Sequence, residues 1–126
     1  MLQTNQLISI VDDDPSISRM LIRVLTSAGY DVQSFGSAEE FLRSEEAESC
    51  ACLILDMKLP GIGGPDLQRQ LLDRRLEIPI IFISADADEE AQQQLLDAGA
   101  AAFLSKPFSL DQLLAAVRSA VCLTLA

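Results

Sequence analysis

Apolar residues in this chain gather into short runs, separated by stretches in which they recur every three or four positions. The first run, 7–11, is nearly continuous, the pattern of a strand buried on both faces, and the runs 52–55, 80–83 and 102–104 predict three further strands. A fifth, 31–35, is mixed and predicts a shorter strand. Between the first two strands, Ile17, Met20, Leu21, Val24 and Leu25 keep helical spacing. Asp14 before Pro15 predicts the start of that helix, and Gly29 its end. Ser37 and Glu40 form a capping-box pattern opening a short helix through about Arg43. The acidic stretch 45–48 predicts a solvated loop, and Pro60, Gly61, Gly63 and Gly64 a flexible one.

A third helix is expected over 66–74, with Leu67, Leu71 and Leu72 inward. A fourth spans 88–98, its first-turn acids Asp88, Glu89 and Glu90 favoured by the helix dipole, and Gly99 ends it. Ser109 and Gln112 cap the last helix, which carries Leu113, Leu114, Val117 and Val121 on one face. Strands alternating with helices over short connections imply a parallel sheet covered on both sides. Five such units predict a flavodoxin-like, doubly wound (βα)5 fold with strand order 2-1-3-4-5. Its ligand crevice falls between strands one and three, at the carboxyl ends of the strands.

Composition narrows the chemistry. At 126 residues the chain is one ordinary domain, and 49% apolar content is enough for a core. A formal net charge of -10 repels nucleic acid and suits a basic partner or a bound cation. No apolar run reaches membrane-spanning length, and the polar start 1–6 lacks the features of a signal peptide. The odd cysteine count, Cys50, Cys52 and Cys122, fits a reducing cytosol. Cys50 and Cys52 suit core packing, since two thiols alone do not complete a tetrahedral metal shell. Histidine is absent, which excludes Ser-His-Asp and Cys-His nucleophiles.

The strand ends carry the more telling residues. Asp12 and Asp13 come after the first strand, Asp56 after the third, Ser84 ends the fourth, and the fifth runs into Lys106, Pro107 and Phe108. All lie at one sheet edge. Two like charges about 4 Å apart repel by roughly 4 kcal/mol at an effective dielectric near 20. Lys106 supplies one compensating charge, and a hard cation with oxygen ligands, magnesium, supplies the rest. A carboxylate beside magnesium, a lysine and a hydroxyl is a phosphoryl-accepting arrangement. Only two of the nine basic residues are lysines, Lys58 and Lys106, and both fall in or beside this site.

These residues resemble those of the receiver domains of two-component response regulators. The resemblance covers essentially the whole chain, as a single receiver domain over 1–126 with about 7–123 structured. It rests on Asp12-Asp13, Asp56, Ser84-Ala85 and Lys106-Pro107-Phe108 in order, with Leu59-Pro60-Gly61 and the run 97–100 in support. It implies that Asp56 is the phosphoacceptor, with Asp13 ligating Mg2+ directly and Asp12 through water. The backbone carbonyl of Lys58 would be a further ligand. Ser84 and Lys106 would hold the phosphoryl oxygens, Phe103 would be the aromatic switch, and Lys58 and Asp86 would tune the phosphoryl lifetime.

The resemblance implies a cytoplasmic switch rather than an enzyme, one that catalyses its own phosphorylation and dephosphorylation. Its phosphodonor would be a sensor histidine kinase. Its output face, and a possible homodimer interface, would be the helix after Ser84, the fifth strand and the last helix. The runs 11–16 and 37–42 resemble the FixJ-like transcriptional regulators, whose DNA-binding domain this sequence does not contain. A stand-alone receiver, a phosphorylation-independent interaction module and a small aspartate-nucleophile phosphatase are the competing expectations.

Overall fold

The computed structural model describes residues 6–59, 61–85 and 88–125. Pro60, Asp86 and the start of the chain before Gln6 lie outside the described residues. The strands are β1 (Leu7–Val11), β2 (Asp31–Phe35), β3 (Cys52–Asp56), β4 (Ile80–Ser84) and β5 (Ala102–Ser105). They pair in parallel in the order β2-β1-β3-β4-β5, as the alternation predicts.

The helices are α1 (Pro15–Ser27), α2 (Ala38–Arg43), α3 (Glu46–Ser49), α4 (Gly64–Asp73), α5 (Glu89–Asp97) and α6 (Leu110–Leu125). Strand periodicity sorts the core into two layers. Ile8, Ile10, Cys52, Ile54, Ile81 and Ile83 meet Leu21 and Leu25 of α1 and Leu113 and Val117 of α6. Val11, Leu53, Leu55 and Phe82 face the other way, onto Phe41, Leu67, Leu71 and Leu95 of α2, α4 and α5. The three central strands are therefore largely apolar on both sides, which explains their nearly continuous apolar runs, with the buried Ser9 interrupting β1.

The predicted caps form. Asp14 accepts from the Ser16 N–H at 2.9 Å, and Ser37 Oγ from the Glu40 N–H at 3.2 Å. Ser109 and Gln112 close a reciprocal box at 3.0 Å in each direction. Gly29 and Gly99 take φ of +100° and +110° just past α1 and α5.

Three local expectations are corrected. Leu72, expected inward with Leu67 and Leu71, is 53% exposed. The stretch 45–48 is not a plain loop: Glu46–Ser49 forms the one-turn α3, anchored by the buried Ala47. The third predicted helix begins two residues early, at Gly64, with Pro65 in its first turn, where the missing N–H costs nothing. Gly64 is forced by space. A Cβ there would stand 2.9 Å from the Asp56 carbonyl oxygen, 3.1 Å from Met57 Cα and 3.2 Å from Phe82. The start of α4 is thus pressed against the strand end that carries Asp56.

Candidate functional site

The carboxyl ends of β1, β3 and β5 deliver the charged groups to one edge. Asp12 follows β1, and its N–H donates to the Phe35 carbonyl at 3.2 Å. Its Oδ1 accepts the Asp14 N–H at 2.8 Å, which turns the chain into α1 and leaves Asp14 free to cap it. Asp12 is buried and Asp13 exposed. Asp56 ends β3, in register with Ile83, and its Oδ1 accepts the Lys58 N–H at 3.2 Å. The backbone of Lys106 is tied to β4 through its N–H and the Ser84 carbonyl, at 2.8 Å.

The Lys106 side chain reaches back between two acids. Its Nζ lies 3.9 Å from Asp12 Oδ2 and 4.0 Å from Asp56 Oδ2. At such lengths these are charge–charge contacts rather than hydrogen bonds. One ammonium is shared between two carboxylates while a third, Asp13, stands beside them. Burial, first of all, pushes the Asp12 carboxyl above its ordinary value, and the charges of Asp56 and Asp13 push the same way. The Asp14 N–H and Lys106 pull it back in part.

The donor set fits a hard cation. Asp12, Asp13 and Asp56 each offer an oxygen within 4.8 Å of the others. Asp12 Oδ2 is buried without a hydrogen-bond partner among the described residues, with Lys106 Nζ 3.9 Å away. Uncompensated, such a group is costly, and a cation among the three oxygens would satisfy it. No comparable group of three or more metal-ligating side chains occurs elsewhere among the described residues.

The structure therefore brings together Asp12, Asp13, Asp56 and Lys106. Ser84 is buried at the end of the neighbouring strand. Lys58 is exposed, and its N–H turns in to Asp56. Phe103 sits mid-strand on β5 beside Phe82, half-buried against the α2, α4 and α5 layer rather than at the acids. The Cys50 and Cys52 thiols are pushed up by burial, and Cys50 Sγ donates to the Cys52 carbonyl at 2.8 Å. They are packing groups. A cavity of 530 Å³ lined by Leu71, Leu76, Ile78 and Pro79 lies at the opposite edge of the sheet, away from every one of the three acids. Among the described residues no helix is long and apolar enough to cross a membrane.

Residues 8–118 match the family described as the response regulator receiver domain. The chain belongs to that family. The receiver is 41% identical over 114 residues to the response regulator protein TodT of Pseudomonas putida, a match covering 90% of this chain and 50% of TodT. Its fold superposes on the structure of the response regulator StyR with a TM-score of 0.88 at 39% identity, covering 95% of this chain and 61% of StyR. Full-length FixJ from B. japonicum gives 0.86 at 31% identity, over 95% of this chain and 59% of FixJ. The FixJ-like flavour of the sequence is thereby borne out. The receiver spans about half the length of the curated relatives it matches.

One residue that sequence reasoning passed over lies near this edge. Glu39, counted there only within the motif opening α2, places its carboxylate on Gly61 of the loop after Asp56. No sequence signal links positions 22 residues apart in this way.

Proposed function

We propose that this receiver takes a phosphoryl group onto Asp56 from a phosphohistidine on a sensor kinase. The observation that carries the reading is the buried, unpartnered Asp12 Oδ2 facing two further carboxylates and one shared lysine. In the transfer an Asp56 oxygen attacks phosphorus, the new O–P bond forms and the N–P bond of the donor breaks. The leaving imidazole keeps the electron pair and is protonated from solvent. These 126 residues contain no histidine, so the donor phosphohistidine lies outside them.

Asp13 would hold Mg2+ directly, Asp12 through water, and Asp56 and the Lys58 carbonyl would complete the protein's share. Bound there, Mg2+ would offset charge on the transferring phosphoryl oxygens. Lys106 would pair with a second oxygen and the Ser84 hydroxyl with a third, so that catalysis is positioning and electrostatics. Ser84 and Phe103 would then shift together and change the face formed by α5, β5 and α6, the surface on which a homodimer would form. By its likeness to FixJ-like regulators, the output is control of transcription through a DNA-binding domain outside this chain, in the cytoplasm. The receiver itself would be one unit over 1–126, structured over about 7–123.

The test is intact-protein mass spectrometry after incubation with acetyl phosphate, with Mg2+ or with EDTA. One added phosphoryl group that requires Mg2+ is expected. Equal labelling in EDTA would rule out a role for the cation, and no labelling in either condition would favour an interaction module.

A further inference from the structure

Glu39 Oε1 is buried and has no hydrogen-bond partner. A carboxylate oxygen in that condition is costly, and its position needs an explanation. The carboxylate occupies the space where a side chain at position 61 would begin. A Cβ at position 61 would contact Oε2 and stand 3.3 Å from the carboxyl carbon and 3.4 Å from Oε1. Gly61 also takes φ of +76°, so two independent constraints hold glycine there.

Gly61 lies between Asp56 and the start of α4 at Gly64. The same stretch carries Lys58, whose N–H donates to Asp56 Oδ1 at 3.2 Å. The neighbouring Glu40 reaches the other way, its Oε2 accepting the Gly36 N–H at 3.1 Å in the loop after β2. The first turn of α2 thus grips two loops, and Asp56 is the last strand residue before one of them.

We infer that Glu39 is a positioning residue for the chemistry at Asp56: pressed on Gly61, it holds the loop so that the Lys58 peptide stays turned toward the Asp56 carboxylate. This rests on the phosphoacceptor reading above. Shape rather than charge does the holding, so glutamine, which has the same outline, serves in its place. Alanine leaves the loop free to swing, and a small misplacement of groups around a reacting centre costs rate out of proportion to stability.

The experiment compares wild type, Glu39→Gln, Glu39→Ala and Asp56→Asn. It reads the initial rate of labelling by acetyl phosphate at saturating Mg2+, the Mg2+ affinity by calorimetry, and the melting temperature. Expected for Glu39→Ala is a labelling rate and a Mg2+ affinity each lowered roughly 10-fold, with a melting temperature close to wild type. Glu39→Gln is expected near wild type on all three. Wild-type labelling by Glu39→Ala would overturn the inference, as would a loss in Glu39→Gln as deep as in Glu39→Ala. So would a loss matched by a fall in melting temperature into the assay range, the mark of a merely structural contact. Labelling of Asp56→Asn at the wild-type level, or none in wild type, would instead bring down the phosphoacceptor reading, and this one with it.

Discussion

Asp12 is held by opposing forces. Burial and two neighbouring acids work against its charge, while one N–H and one lysine favour it. With its carboxyl raised above 3.8, the folded chain binds that proton more tightly than the unfolded chain does. Its contribution therefore favours folding at low pH and is lost as pH rises from 3.8 through the raised folded value. Above that value the metal-free protein carries the full cost of a poorly compensated charge. Asp12→Asn should melt several degrees above wild type at pH 7 in EDTA, the gap closing toward pH 4, while binding Mg2+ more weakly. Scanning calorimetry of both proteins across that range checks this, and a lower melting temperature for the variant at pH 7 would show that burial does not dominate. The acids were legible in the sequence because they come directly after apolar runs, a local signal. The reach of Lys106 to within 4 Å of two of them was not, since it depends on how three strand ends are stacked.

Among the elements, the strands and capped helices obey local rules, and the departures have local causes. Asp14, Ser37 with Glu40, and Ser109 with Gln112 announce helix starts through side chains that satisfy the first free N–H groups. α3 has four residues and no side-chain cap, and only the burial of Ala47 distinguishes it from loop. Arg75 sits at φ +59° past the end of α4, where no glycine marked the stop. Gly64 reads as loop in the sequence because glycine and proline punctuate loops, whereas here the glycine lets α4 press against Asp56 and Met57. Gly64→Ala should therefore cost about 1–3 kcal/mol by overpacking, seen as a lower urea midpoint, and should slow labelling at Asp56. A midpoint equal to wild type would mean that α4 can yield without disturbing the strand end.

At the scale of the molecule, a net charge of -10 acts on the whole fold while three of its acids act on one site. Raising ionic strength from about 0.01 M to about 0.1 M shortens the screening length from about 30 Å to about 10 Å and relieves general repulsion. Sodium chloride should thus raise the melting temperature modestly. Magnesium chloride at matched ionic strength should raise it further, because a specific ligand at about 100 times its Kd adds about 2.7 kcal/mol. The excess should vanish in Asp13→Ala. Equal effects of the two salts would argue that the acidic edge holds no cation.

Phosphoryl transfer to Asp56 is tested most directly by locating the group on the chain. Wild type and Asp56→Asn are incubated with acetyl phosphate and Mg2+, and the labelled protein is fragmented to place the added mass. A single adduct is expected in wild type, on the segment carrying Asp56, and none in Asp56→Asn. An adduct on another residue, or one that survives in Asp56→Asn at the wild-type level, would contradict the assignment of Asp56 as phosphoacceptor.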